Sequence, residues 1–168
     1  MLNSIDTAAV IRDGGAVGRY PDQIHDAVGW WLGACMVVTT QISRLAVAHD
    51  GHPVSVRFAH KLCQGAINAQ HYACNVRYLG DQPEPELLAL ATGPLEASAA
   101  WISTSPAADR DTVQIRLYAK DGKLLDETTG LAGIRDLIDR DRVPIPVNSR
   151  AKGTIEGWPS EATTEARP

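Results

Sequence analysis

The chain of 168 residues is poor in the features that announce most ligand chemistries. Its three cysteines, Cys35, Cys63 and Cys74, have no C-x-x-C spacing and are odd in number. That argues against a disulfide framework and for a reducing, cytoplasmic setting. No Lys/Arg stripe runs along any segment, and the net charge is -4 with acids and bases interspersed, so nucleic acid is not an expected partner. The longest apolar stretch, Trp30 to Val38, is too short to span a bilayer. The first residues include Asp6 and lack a basic region ahead of an apolar one, so no signal peptide is expected. Asp13-Gly14-Gly15 belongs to neither a GxGxxG pattern nor a Walker loop, which removes support for a dinucleotide or P-loop site.

What remains is a chain with 44% hydrophobic and 21% charged residues, values of an ordinary globular domain with one sizeable core. Residues 8 to 12 read as a short first strand and Asp13 to Gly18 as a turn-rich loop. Pro21-Asp22 is expected to open a helix whose apolar positions Ile24, Val28, Trp31, Leu32 and Cys35 recur at three and four. Gly29 and Gly33 within it either permit close backbone approach or weaken the helix. Arg44 to Ala48 reads as a strand, Pro53 as the first turn of a helix with Phe58, Leu62 and Ala66 inward, and Ala73 to Leu79 as a third strand. Pro83 starts a short helix, Ala99 to Ser103 is a fourth strand, and Val113, Ile115 and Leu117 alternate with polar residues as an antiparallel edge. Thr128 or Thr129 is the expected cap of a last helix. Strands alternating with helices predict a single three-layer α/β domain over residues 1–142, its mixed, mostly parallel sheet covered by helices on both faces. Residues 143–168 read as an extended tail. Within it, Ile145 to Val147 and Thr154 to Trp158 can lie against the body, and the last ten residues are expected to be disordered.

Ligands of open α/β sheets bind beyond the C-terminal ends of the strands, so four loops are expected to gather there: Arg12–Gly15, His49–His52, Gly80–Pro83 and Ser103–Asp111. The candidate ligand-binding residues are Arg12, His49, Asp50, His52, Ser103, Thr104 and Ser105. His49, Asp50 and His52 are the most metal-like trio, yet no further ligand follows at a suitable spacing, and an Asx-turn or helix cap accounts for Asp50. Neither metal nor cofactor is expected. The Ser103–Ser105 hydroxyls sit where a nucleophile would, with no base in the same loop. Trp30, Trp101 and Trp158 are the candidate interface residues, Trp31 being assigned to the core.

The order of these segments resembles the first domain of the phosphomannomutase/phosphoglucomutase (α-D-phosphohexomutase) family. Ile11-Arg12-Asp13-Gly14 is similar to the family's I-R-G motif, and Val47-Ala48-His49-Asp50 to its V-G-R-D or V-A-H-D strand end. Gln64-Gly65-Ala66 and Leu79-Gly80 followed by Pro85-Glu86-Leu87 match segments leading to the family's catalytic strand. That strand carries T-A-S-H-N-P, whose serine cycles through a phosphorylated form, followed by N-G-I-K. Here Ser103-Thr104-Ser105-Pro106 and Val113-Gln114-Ile115-Arg116 take their places without the His-Asn or Asn-Gly pairs. Thr129-Gly130-Leu131 is similar to a later helix start. Whole members have four domains, with a magnesium loop in the second and a phosphate clamp in the fourth. The resemblance therefore implies a fold with no catalytic residue assigned: counting back from Ile115 sets Pro106 at the family's serine position, and a short gap sets Ser105 there as a vestigial serine. Phosphoryl transfer needs charge neutralisation around the moving group, and this chain shows no acidic magnesium loop. The expected function is non-catalytic, through a protein partner or self-association. The alternatives are a sensor for a phosphorylated sugar or another anion and one component of a split phosphomannomutase.

Overall fold

The computed structural model describes residues 5–69, 74–106, 110–144 and 153–157. Its elements are α1 (Thr7–Val10), β1 (Gly15–Tyr20), α2 (Ala27–Thr40), β2 (Arg44–His49), α3 (Pro53–Asn68), β3 (Asn75–Asp81), α4 (Glu84–Thr92), β4 (Ser98–Ser105), β5 (Asp111–Tyr118), a wide π-type turn (Glu127–Leu131), α5 (Ala132–Asp139) and β6 (Ile155–Glu156). The six strands form one sheet in the order β1-β5-β4-β2-β3-β6. β4, β2, β3 and β6 run parallel, while β5 is antiparallel to both β4 and β1. This is the mixed α/β sheet that the alternation of segments predicts.

Alternating side chains divide the sheet into two unequal layers. Leu45, Val47, Val76, Ala100, Ile102, Ile115 and Leu117 share the main core with Val28 and Leu32 of α2, Phe58 and Leu62 of α3, and Ile134 of α5. On the other face Ala46, Ala48, Ala99 and Tyr118 pack against Leu87 and Ala91 of α4. One nine-residue helix covers that face, and it is held over β2, β4 and the end of β5. Glu84 in its first turn takes two contacts of 3.1 Å from Arg116 Nη1 and accepts from the Tyr118 hydroxyl.

The glycines of α2 and α3 resolve the choice left by the sequence. A Cβ on Gly33 would collide with the Leu62 carbonyl, and one on Gly65 would collide with the Trp30 carbonyl. The two helices meet backbone to backbone, so these positions serve close approach. α2 is buried on more than a single stripe: Gly33, Ala34, Cys35, Met36 and Val37 are all inside. The thiols share this apolar setting. Burial pushes Cys35 and Cys74 up to about 12 and Cys63 higher still.

Several sequence expectations shift. Residues 7 to 10 are one helical turn, because Asp6 accepts the Ala9 N–H and caps it. The first strand is instead Gly15–Tyr20, whose two glycines had read as a loop. α2 begins at Ala27, not at Pro21: the Gln23 side chain accepts the Arg19 N–H, and the Gln23 and Ile24 N–H groups bond back to the Arg19 carbonyl. β5 is antiparallel as expected but lies inside the sheet, between β1 and β4. Its alternation reflects the thin outer layer above it. Neither threonine caps the last helical segment: Asp126 does, accepting from the N–H groups of Thr128 and Thr129. In the tail, Ile155–Glu156 pairs with Val76–Arg77, and Arg77 meets Glu156 at 2.7 Å. Residues 145–152, Trp158 and the last ten residues lie outside the described residues.

Candidate functional site

The strand ends collect as the α/β rule requires, with one exchange. β2, β3 and β4 finish at His49, Asp81 and Ser105, and the antiparallel register brings Tyr20 of β1 opposite Asp111 of β5 at the same end. Gly15, at the other end of β1, pairs with Arg116, which in turn pairs with Trp101. The loop Arg12–Gly15 therefore sits at the opposite end of the sheet. Arg12 is exposed there, donating to the Ala9 carbonyl at 2.8 Å and pairing with Asp13 at 2.6 Å. The loop that joins the site in its place is Tyr20–His25. It brings Arg19, Tyr20 and Asp22, which sequence reasoning passed over because β1 was not recognised.

Asp50 organises the junction between β2 and β4. One carboxylate oxygen accepts the His52 N–H at 3.0 Å, and the other accepts the Thr104 N–H at 2.8 Å. Partial burial raises its pKa, but the backbone N–H groups of Thr104 and His52, the Ser55 hydroxyl and the charge of His52 outweigh that effect. The net position is below the ordinary carboxylate value. Beneath it, the buried hydroxyls of Ser55 and Thr104 meet at 2.6 Å. Gly51, at φ +86°, fits against the Asp81 carboxylate, where a Cβ would collide.

The histidines turn away from any common metal position. His49 is 4% exposed. Its Nδ1 accepts the Gly51 N–H at 3.0 Å, so in the neutral ring Nε2 carries the proton and donates to the Tyr78 hydroxyl at 2.8 Å. Tyr78 in turn lies 3.3 Å from His60 Nε2. His52 caps α3, its Nδ1 accepting the Val54 N–H, and its Nε2 stands 3.7 Å from Asp111. Among the described residues no group of three or more His, Cys, Asp or Glu is placed to hold a metal ion.

The three hydroxyls of β4 separate by alternation. Thr104 points into the α3 layer and is tied to Ser55. Ser103 and Ser105 point to the outer face, where Ser103 is half-buried and Ser105 exposed. Around them each arginine faces a carboxylate: Arg19 and Arg110 both approach Asp22, at 3.5 and 3.7 Å, and Arg57 approaches Asp26 at 3.7 Å. Arg57 also donates to the Tyr20 hydroxyl at 3.0 Å. An arriving anion would compete with these carboxylates for every cation of the rim.

The tryptophans do not share one surface. Trp30 and Trp31 lie on α2, both partly buried against the main core, and they flank an open groove of about 730 Å³ with Tyr20 and His25. The ring of Trp31 is edge-on to that of His25. Trp101 lies in the opposite layer, partly buried beside α4, its indole N–H donating to the Gln82 carbonyl at 2.9 Å.

No family model matches the sequence, and no curated protein matches it. Solved structures do. A phosphoglucomutase/phosphomannomutase family protein from Burkholderia thailandensis superposes with a TM-score of 0.68 at 14% identity, covering 90% of this chain and 33% of that one. A provisionally assigned phosphomannomutase from Thermus thermophilus gives a TM-score of 0.56 at 18% identity, covering 90% of this chain and 34% of its own. The chain thus spans about a third of the length of these relatives. At such identities the likeness is one of fold: this chain folds as a phosphohexomutase domain does, a mixed α/β sheet with its helices.

Proposed function

We propose that this chain is a non-catalytic phosphohexomutase-like domain that acts by binding another protein or a second copy of itself. The observation that carries the reading is the thin outer layer of the sheet. β5 is an interior strand, yet its outer residues Thr112, Gln114 and Arg116 are half-exposed, as are Val17 of β1 and Ser103 of β4. An interior strand left uncovered on one face has room there for solvent or a partner. The strand-end chemistry supports the same reading, since Asp50, Ser55 and Thr104 hold one another and the rim arginines face carboxylates.

Light scattering combined with capture of partners by the purified chain tests it, with Val17→Asp and Gln114→Glu as companions. Association that these two substitutions abolish supports the outer face. A strictly monomeric protein that captures nothing overturns the reading.

Ser105 favours a second reading. It is the exposed hydroxyl of the strand end, and as a phosphoryl carrier in a split mutase, or as part of a sugar-phosphate sensor, it would need to be reachable. Intact mass after incubation with a hexose bisphosphate and magnesium, alongside calorimetric titration of hexose phosphates, tests both forms. No added phosphate and no saturable binding would remove them.

A further inference from the structure

We propose that a cavity at the starting end of the sheet binds a small organic carboxylate with an apolar body. The cavity holds about 570 Å³ and lies between the last turn of α2, the first residues of β2 and β4, and the segment following β5. That volume falls within the range of roughly 300–1,000 Å³ typical of small-molecule sites. It stands at the far end of the strands from Ser105, so it is independent of the proposed function.

Part of its lining is apolar: Met36 and Leu125 are buried and Ile42 is half-buried, while Thr40, Gln41, Ser43, Ser98 and Thr129 add polar groups. Ser98 is the buried one of these five. Ser98 is 3% exposed, and by alternation with Ala100 and Ile102 it points toward α2. Its hydroxyl has no hydrogen-bond partner among the described residues, and the residue lines the cavity, where a ligand hydroxyl or carbonyl would supply one.

The mouth carries Arg44, Lys120 and Glu96, all exposed. Among the described residues none of the three forms an ion pair. Arg44 makes only a 3.5 Å contact from Nη1 to the Leu95 carbonyl, which leaves most of its fork of donors open. Two cations against one carboxylate leave an excess of one positive charge. The C-terminal end of α2, at Thr40 and Gln41, adds partial negative charge to the same mouth. A doubly charged phosphate would be opposed by that helix end and by Glu96. A single carboxylate matches the Arg44 fork in both charge and planar geometry. The apolar body then lies against Met36, Ile42 and Leu125.

The test uses 3-(4-hydroxyphenyl)propionate as probe, followed by calorimetry and by amide shifts in the nitrogen-labelled chain. Saturable binding below ~10 mM is expected, with the shifts centred on Gln41, Ser98 and Leu125. Arg44→Met with Lys120→Gln should weaken binding about tenfold through loss of the charged contacts, and Ser98→Ala about threefold through loss of one hydrogen bond. Arg19→Gln, at the other end of the sheet, should leave binding unchanged. The proposal is overturned by any of four results. These are no saturable binding to the folded wild-type chain, shifts that map elsewhere, equal affinity for the neutral alcohol 3-(4-hydroxyphenyl)propanol, or displacement of the probe by inorganic phosphate at equal concentration.

Discussion

At the end where β2, β3 and β4 finish, Asp50 accepts two backbone N–H groups and Ser55 holds Thr104. At the same end Arg19, Arg57 and Arg110 each lie within 4 Å of an aspartate. At the end where these strands begin, the Ser98 hydroxyl lines the cavity with no hydrogen bond to a described residue, and Glu96 and Lys120 stand unpaired among the described residues. Both ends carry comparable residue types. They differ in whether those residues are satisfied by one another or left open to something arriving. The first end is mostly paired within itself, its exception among the described residues being the buried Oδ1 of Asp26, which has no hydrogen-bond partner.

The sharpest way to break this comparison is Asp50→Ala. If the carboxylate is the keystone of its end, the loss exposes two N–H groups and the buried hydroxyl pair, and stability should fall by about 3 kcal/mol, read from the urea midpoint. A change below about 0.5 kcal/mol would place Asp50 among ordinary surface residues. Next comes Tyr78→Phe, which removes the hydroxyl that meets His49 Nε2 at 2.8 Å and should cost about 1 kcal/mol in the same assay.

Acid dependence sharpens the contrast further. The folded-state pKa of Asp50 is lowered. Its contribution is therefore complete above the unfolded carboxyl value of about 3.9 and fades as pH falls through the lower folded value. Asp50→Asn should flatten the loss of stability between neutral and acidic pH, and urea midpoints measured at successive pH values would show it. The smallest effect belongs to the other end. Arg44→Met and Lys120→Met should each move the urea midpoint by no more than the equivalent of ~0.5 kcal/mol, because neither side chain is engaged in an ion pair.

Much of the frame was legible because its signals are local. β2, α3 and α4 follow from Arg44–Ala48, from Pro53 with its inward Phe58 and Leu62, and from Pro83, each a short-range pattern. β1 was not legible, because Gly15 and Gly18 read as turn residues. Gly15 is glycine because a Cβ there would strike the Ile115 carbonyl, a fact of tertiary contact. The alternation of β5 reported which side was covered but was silent about its neighbours in the sheet.

The site divides the same way. His49, Asp50 and His52 were visible as a polar strand end, and Asp50 does form the Asx-turn read from the sequence. Its bond to Thr104 joins residues 54 apart, and the Tyr78 partner of His49 lies 29 away. The cavity was out of reach for the same reason, being assembled from the ends of elements that no local pattern brings together. Arg12 was misplaced because its strand was.

The Gly33 and Gly65 notches have a mechanical consequence. Each receives a carbonyl of the opposing helix, Leu62 in one case and Trp30 in the other. Sliding α2 along α3 by a fraction of a turn would drive those oxygens into side chains, so the pair is keyed in register. α2 runs from the tryptophan groove at one end of the molecule to the cavity at the other, and the two notches fix the register of α3 beside the one element that lines both.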